Sequence, residues 1–353
     1  MKIATVLGTR PELIRLSKII PKLDKACEHI FIYTDQSYDD NMAGVFFREL
    51  KIREPDYRLG IGGKPFAEQI GYLFTEVDKI LDKVKPDRLL VLGDTNSALS
   101  AFIAKRRGVR VYHMEAGNRC YSDLVPEEIN RRVIDACSDV LMPYTERSRA
   151  NLTGKDFDGK QIYVTGNPIG EVIAGAPESA DILKSLKLKS KKYILATAHR
   201  QENVDSPDRL RKLIITCSRM AVEYKMPVLF SRHPRTKKLM EASGIGTEHI
   251  IFHEPFGFYD FLTLERNAKC VLTDSGTVQE ECCLWGVPCV TLRDNTERPE
   301  TIECGSNILA GVEPDSVLRC VKVALSKSAD WDPPPEYLRT NVSDTVVRIL
   351  TGI

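Results

Sequence analysis

Short runs rich in Val, Ile and Leu alternate along the chain with longer stretches whose apolar positions recur every three or four residues. The runs Ile3–Leu7, Glu28–Thr34, Arg88–Leu92, Val109–Met114 and Val140–Met142 predict strands in the first half. Helical patterns fall between them: one beginning near Pro11, then Asp39–Leu50, Ala67–Lys83 and Ser97–Arg107. In Ala67–Lys83, Ile70, Leu73, Phe74, Val77, Ile80 and Leu81 share one face at i, i+3, i+4 steps, the signature of an amphipathic helix. Near-continuous apolar strands separated by helices predict a parallel sheet covered on both faces.

The pattern restarts after Gln161–Val164. Tyr193–Thr197, Pro227–Phe230, Ile250–His253, Cys270–Thr273 and Pro288–Thr291 read as strands, with helices at Pro207–Tyr224, Tyr259–Asn267 and Val278–Trp285. Two such series predict an α/β chain of two Rossmann-like, doubly wound domains. The break is expected near Gly166-Asn167-Pro168, giving residues 1–167 and 168–335. Beyond the stiff segment Trp331–Pro335, residues 336–353 form a helix with Val342, Val346, Val347 and Leu350 on its apolar face, expected to pack back across a domain edge. Ligands on such sheets sit outside the carboxyl ends of the strands, so a site is expected where the two sets of ends face each other.

The length, 353 residues, suits two ordinary domains. Lys+Arg 50 against Asp+Glu 49 leaves a net charge of +1, so no global field draws the chain to nucleic acid or a membrane surface. Ten scattered cysteines without a C-x-x-C pair read as small core residues in a reducing compartment. No run approaches a membrane span, and MKIATVLG is too short for a signal peptide, so the cytoplasm is expected. No metal-ligand spacing and no cofactor fingerprint is present; the glycine cluster Gly60–Gly63 has Pro65 where a third glycine belongs.

Chemistry-bearing residues follow the strands. In Gly8-Thr9-Arg10-Pro11-Glu12, exposed amides at a helix start favour an anion, and Arg10 reads either as a phosphate fork or as a solvated turn arginine. Asp94, in Gly93-Asp94-Thr95-Asn96, stands over the site or caps the next helix. Glu115, in His113–Arg119, leaves a strand among small and apolar residues that would suit a general base; His113 contacts a ligand or fills the strand end. Glu128 begins a helix whose dipole it suits, and Arg131 and Arg132 lie at ion-pairing distance along it.

The second half supplies cations and a helix start. His199-Arg200 and Arg232-His233 follow two strands and form a basic wall for a diphosphate or two surface turns. Asp274-Ser275-Gly276-Thr277 opens a helix suited to phosphate, with Thr277 and Glu280 spaced as a capping box and Glu281 within reach of a ribose. Arg293–Glu300 is a charged loop containing Glu297. These residues describe a two-domain binder of a nucleotide diphosphate with carboxylates opposite it.

In order along the chain, GTRPE (Gly8–Glu12), GDT (Gly93–Thr95), HMEAG (His113–Gly117), PEE.NR (Pro126–Arg131), TGNP (Thr165–Pro168), AHR.EN (Ala198–Asn203), HP (His233-Pro234), TDSG..QEE (Thr273–Glu281) and RD.TERPE (Arg293–Glu300) resemble the non-hydrolysing UDP-N-acetylglucosamine 2-epimerase family. The resemblance implies a glycosyltransferase-B arrangement and inversion at C2 of a UDP-N-acetylhexosamine through elimination of UDP to a 2-acetamidoglucal and its re-addition. It implies Asp94, Glu115 and Glu128 as acid/base carboxylates and His199 as support for the leaving diphosphate. Arg10, His233, Ser275 and Gly276 would hold the phosphates, and Glu281 the ribose. Arg15, His113, Arg131, Arg293 and Glu297 would serve orientation or closure. It also implies a homodimer, permits a second UDP-sugar as allosteric activator, and places the chain in polysaccharide biosynthesis.

Three departures stand out. Arg15 replaces a common lysine, Thr277 replaces a second glycine, and HVEAGLR reads HMEAGNR through Asn118-Arg119. The last, with Thr34–Asp39, is similar to the branch forming UDP-N-acetyl-L-fucosamine. A hydrolysing 2-epimerase, a glycosyltransferase of the same fold and an inactive nucleotide-sugar sensor are the competing readings.

Overall fold

A computed structural model describes residues 1–36, 40–123, 125–153, 157, 161–179, 181–232, 249–326 and 330–352. The chain divides into two compact units, Met1–Ala174 with Pro335–Ile353, and Gly175–Pro334.

The first unit is built on six parallel strands among the described residues: β1 (Lys2–Leu7), β2 (Glu28–Tyr33), β3 (Tyr57–Arg58), β4 (Arg88–Leu92), β5 (Arg110–Met114) and β6 (Val140–Met142). Their order is β3-β2-β1-β4-β5-β6, with Ile3 opposite both His29 and Arg88. The apolar runs are buried because helices cover them. Helix Phe66–Val84 sets Leu73, Val77, Ile80 and Leu81 into the core beside Val6, Ile32 and Val91, while Ile70 and Phe74 pack half-buried at its margin.

The second unit has β7 (Ile194–Ala198), β8 (Val228–Arg232), β9 (Ile250–His253), β10 (Cys270–Thr273), β11 (Cys289–Thr291) and β12 (Asn307–Leu309) in the order β12-β11-β10-β7-β8-β9, again parallel. Counted within its own unit this is the same 3-2-1-4-5-6 winding. Both units therefore have the doubly wound Rossmann topology expected of a glycosyltransferase-B fold. The strand order reverses between β1 and β4 in one sheet and between β7 and β10 in the other.

Several sequence expectations need correction. The helix read as Ser97–Arg107 is a 3-10 turn, Asn96–Leu99, followed by Ser100–Arg106, because the side chains of Asn96 and Ser97 are tied to Gln69 and Gln36. Beyond β6, Ile162 forms an isolated parallel bridge to Leu141. The short edge strands β3 and β12 left no readable pattern.

The first boundary falls after Ala174, not Asn167. Helix Pro168–Ala174 buries Pro168, Ile169, Val172 and Ile173, and its Glu171 accepts from the Ser343 backbone N–H at 2.8 Å. The final helix, Val342–Gly352, belongs to the first unit: Lys22 Nζ lies 2.7 Å from Ser343 Oγ and 2.6 Å from Asp344 Oδ1. All ten cysteines are free thiols, five of them buried. Among the described residues no helix is long and apolar enough to cross a membrane, and no cluster of His, Cys, Asp and Glu could hold a metal ion.

Candidate active site

At the carboxyl edge of the first sheet, the chain leaves β1 through Gly8, where a Cβ would stand 1.9 Å from Thr34 Oγ1. Only glycine fits so close to the neighbouring strand end. Arg10 opens helix Arg10–Leu16, with its guanidinium 5.6 Å from the centre of the Phe46 ring. Gly93, after β4, takes a φ of +70°, and a Cβ there would lie 3.6 Å from Glu115 Oε2. The turns after β4 and β5 thus bring Asp94 and Glu115 into one neighbourhood.

The three expected carboxylates are each engaged by cations. Arg131 donates through Nε (2.9 Å) and Nη2 (2.6 Å) to Asp94 Oδ2, and through Nη1 (2.8 Å) to Glu128 Oε2. One buried guanidinium therefore spans two of them, and Asp94 caps no helix. Glu128 also accepts from the Cys120 N–H at 2.9 Å and pairs with Arg132 at 3.3 Å, fulfilling the helical ion-pair spacing. Burial pushes its carboxyl up, but the Cys120 amide and Arg131 outweigh that and hold it below the usual carboxylate range.

Glu115 departs from expectation in its surroundings. Arg15 Nη1 sits 2.9 Å from its Oε2 and Asn118 Nδ2 donates to its Oε1 at 3.2 Å, so a charge partner replaces the apolar setting. Its backbone φ of +67° is the left-handed region, costly for a residue with a Cβ. The backbone N–H bond to the Met142 carbonyl, at 3.1 Å, helps hold it there.

His113 is held at the end of its strand by both ring nitrogens. It is buried, its Nε2 donates to the Gly93 carbonyl at 2.8 Å, and its Nδ1 lies 2.9 Å from Asp135 Oδ1. Asp135 also accepts from Arg119 at 2.6 Å. Burial raises its carboxyl, but His113 and Arg119 together hold it below the ordinary range. Through this chain of contacts the backbone of the Asp94 turn is fixed from below.

In the second sheet the turns after β7 and β10 are bound through Asp274. Fully buried, it accepts from the backbone N–H groups of His199 (3.1 Å) and Arg200 (3.0 Å) and from Asn203 Nδ2 (3.0 Å). The His199 ring, half exposed, keeps Nδ1 3.3 Å from Asp274 Oδ1. Ser275 is the N-cap residue of helix Gly276–Trp285 and its hydroxyl makes no capping bond. The expected box of Thr277 with Glu280 does not form, because the helix starts before Thr277 and Glu280 instead pairs with Arg298.

Glu297 lies against the helix start, its Oε1 2.9 Å from where a Gly276 Cβ would be. Arg200 holds that oxygen at 3.0 Å and fully buried Arg293 holds the other at 2.8 Å. Glu281, also buried, neighbours Glu265; burial first, and then the Glu281 carboxyl, push Glu265 well above the ordinary range. His233 lies outside the described residues.

Sequence reading missed Asp135 and the strut role of Asp274, because each acts on atoms far away in the chain. It also overlooked Glu12, although Thr9-x-x-Glu12 carries the capping-box spacing and that box does form.

The family model for UDP-N-acetylglucosamine 2-epimerase matches residues 21–351. A UDP-N-acetylglucosamine 2-epimerase of Methanococcus maripaludis is 40% identical over 99% of this chain and 98% of its own. A UDP-2,3-diacetamido-2,3-dideoxy-D-glucuronate 2-epimerase of Pseudomonas aeruginosa is 35% identical over 94% of each. The crystal structure of Methanocaldococcus jannaschii UDP-GlcNAc 2-epimerase in complex with UDP-GlcNAc and UDP superposes with a TM-score of 0.93, at 39% identity and 99% coverage of both chains. The chain belongs to the UDP-N-acetylglucosamine 2-epimerase family.

Proposed function

We propose that this enzyme interconverts a UDP-N-acetylhexosamine, UDP-GlcNAc in the first instance, with its C2 epimer without hydrolysis. The observation that carries the reading is the group of three carboxylates at the switch point of the first sheet, two of them on one arginine. A C2 proton beside no carbonyl is poorly acidic, so its removal is coupled to breaking the anomeric C–O bond. Asp94, Glu115 and Glu128 are the proton-transfer groups: one accepts the C2 proton as UDP departs, and another returns a proton to the opposite face as UDP adds back.

Glu128, held below the usual range, enters as a base. His199, carried by the turn that Asp274 fixes, supports charge on the departing diphosphate. Arg10, His233, Ser275 and Gly276 hold the phosphates and Glu281 the ribose. Arg15 and Arg131 orient the carboxylates, His113 the Asp94 turn, and Arg293 acts through Glu297. The domain assignment follows: the first unit supplies the acid/base carboxylates and the second binds UDP. The reading includes a cytoplasmic homodimer in polysaccharide biosynthesis, open to activation by a second UDP-sugar; sedimentation and a UDP-sugar titration of the rate test those parts.

The second substrate reading is the UDP-N-acetyl-L-fucosamine-forming epimerisation. It is favoured by Asn118, which departs from the common leucine and donates directly to Glu115. Incubation with each UDP-sugar in deuterium oxide is the test. Reversible epimerisation with one deuterium at C2 supports the proposal, and the better substrate decides the sugar. Free sugar with UDP would indicate hydrolysis, transfer to an added acceptor a glycosyltransferase, and binding without turnover a sensor.

A further inference from the structure

Arg10 and Asp94 are carried by the two turns that flank the switch point of the first sheet. One side chain joins these turns, and no step above uses it. Glu12 is 1% exposed. Its Oε2 accepts from the N–H groups of Gly8 (3.0 Å) and Thr9 (2.8 Å) and from the Thr9 hydroxyl (2.8 Å), while its Oε1 accepts from the Thr95 hydroxyl at 2.9 Å. Capping helix Arg10–Leu16 needs only the bonds to Thr9. The reach to Thr95, beside Asp94, is additional and joins two strand ends.

This arrangement is costly. The hydrogen-bond partners of the carboxyl are amides and hydroxyls rather than an arginine or lysine. Burial pushes its pKa up to about 7 despite them. A cap alone could sit in water without that penalty. The second sheet has the corresponding device built from the other side: Asp274, on the turn after β10, takes the amides of the turn after β7. The same junction is closed by a buried carboxylate in both units, from residues at unlike places in the two sequences.

We propose that Glu12 is a positioning residue for the epimerisation, fastening the turn that carries Arg10 to the turn that carries Asp94. The proposal rests on the functional reading above. It predicts that the two turns loosen together when the side chain is removed, and that a neutral isostere keeps them joined. In Glu12→Gln the amide oxygen can still accept from Gly8 and Thr9, and the amide N–H can donate to Thr95 once that hydroxyl turns.

Hydrogen exchange and steady-state kinetics on the full chain, with Glu12→Ala and Glu12→Gln, form the test. In Glu12→Ala, exchange over residues 93–99 is expected to quicken at least about fivefold, with residues 270–285 unchanged. Its kcat is expected to fall about 10- to 100-fold with KM changed by less than about threefold. Glu12→Gln should restore both readouts to near the wild type. Unchanged exchange over 93–99 in Glu12→Ala would overturn the proposal. So would a loss of kcat that Glu12→Gln fails to restore while its exchange is normal. If the wild type epimerises neither UDP-sugar, the functional reading falls separately, and the exchange measurement still decides whether Glu12 fastens the turns.

Discussion

The two sheets share one winding, yet their carboxyl edges use charge in opposite ways. In the first, arginines serve carboxylates: Arg131 grips Asp94 and Glu128, and Arg15 grips Glu115. In the second, carboxylates serve donors: Asp274 collects the amides beneath His199, and Glu297 gathers Arg200 and Arg293 against the helix start. A buried carboxylate costs several kcal/mol unless a cation or several donors meet it, so each pattern is a different solution to one desolvation problem. Topology fixes where chemistry can sit, while the direction of the ion pairs decides what is presented. One edge offers acids; the other offers amides, a hydroxyl and an imidazole.

The largest effect is expected at the acids. Asp94→Asn, Glu115→Gln and Glu128→Gln should each lower kcat by about 10²- to 10⁴-fold, the range for a positioned acid or base. UDP binding, measured by calorimetry, should stay within about threefold, because none of the three is assigned to the nucleotide. Normal turnover in all three would remove the acid edge from the mechanism.

A smaller effect is expected at the junction of the second sheet. Asp274→Ala leaves the His199 and Arg200 amides and Asn203 without their acceptor. It should cost about 3 kcal/mol in urea unfolding and weaken UDP binding alongside. Loss of stability with UDP affinity untouched would separate this strut from the nucleotide site.

The pH dependence sharpens the contrast within the first sheet. Glu12, folded, titrates at about 7, above the 4.5 of an ordinary glutamate. Its contribution to stability is therefore full below about pH 4.5 and lost as pH rises through about 7. Glu128 and Asp135, held below the ordinary range, contribute with the opposite sign: their stability is present above the ordinary carboxylate pKa and lost as pH falls through their lowered values. Between pH 4.5 and 8 the wild type should lose on the order of 3 kcal/mol relative to Glu12→Gln. A constant difference between the two across that range would show that Glu12 carries no such shift.

Much of the fold is legible in the apolar pattern of the chain. Helix Pro207–Tyr224 and strands Arg88–Leu92, Val140–Met142, Ile250–His253 and Cys270–Thr273 end where the apolar pattern ends. Each buries residues whose spacing already states their face. The site motifs were legible for a related reason: in a doubly wound sheet the residue after each strand is delivered to one edge. The domain boundary is not encoded in the pattern, because Pro168–Ala174 is apolar on a face that could serve either unit. Only its packing, and the bond from Ser343 to Glu171, assign it. The capping box was read at Thr277 and overlooked at Thr9, since identical spacing is satisfied only where the helix starts at the right residue.

Local pattern along the chain sets the alternation of strands and helices, the two doubly wound halves and the set of polar residues at their carboxyl edges. These follow from local periodicity and from glycine and proline at turns. Tertiary structure alone decided the partnerships: that Arg131 joins Asp94 to Glu128, that Arg15 meets Glu115 across 100 residues, and that Glu12 reaches Thr95. Hydrogen bonds and ion pairs act over about 3 Å, and no spacing along the chain encodes which strand ends a parallel sheet brings that close.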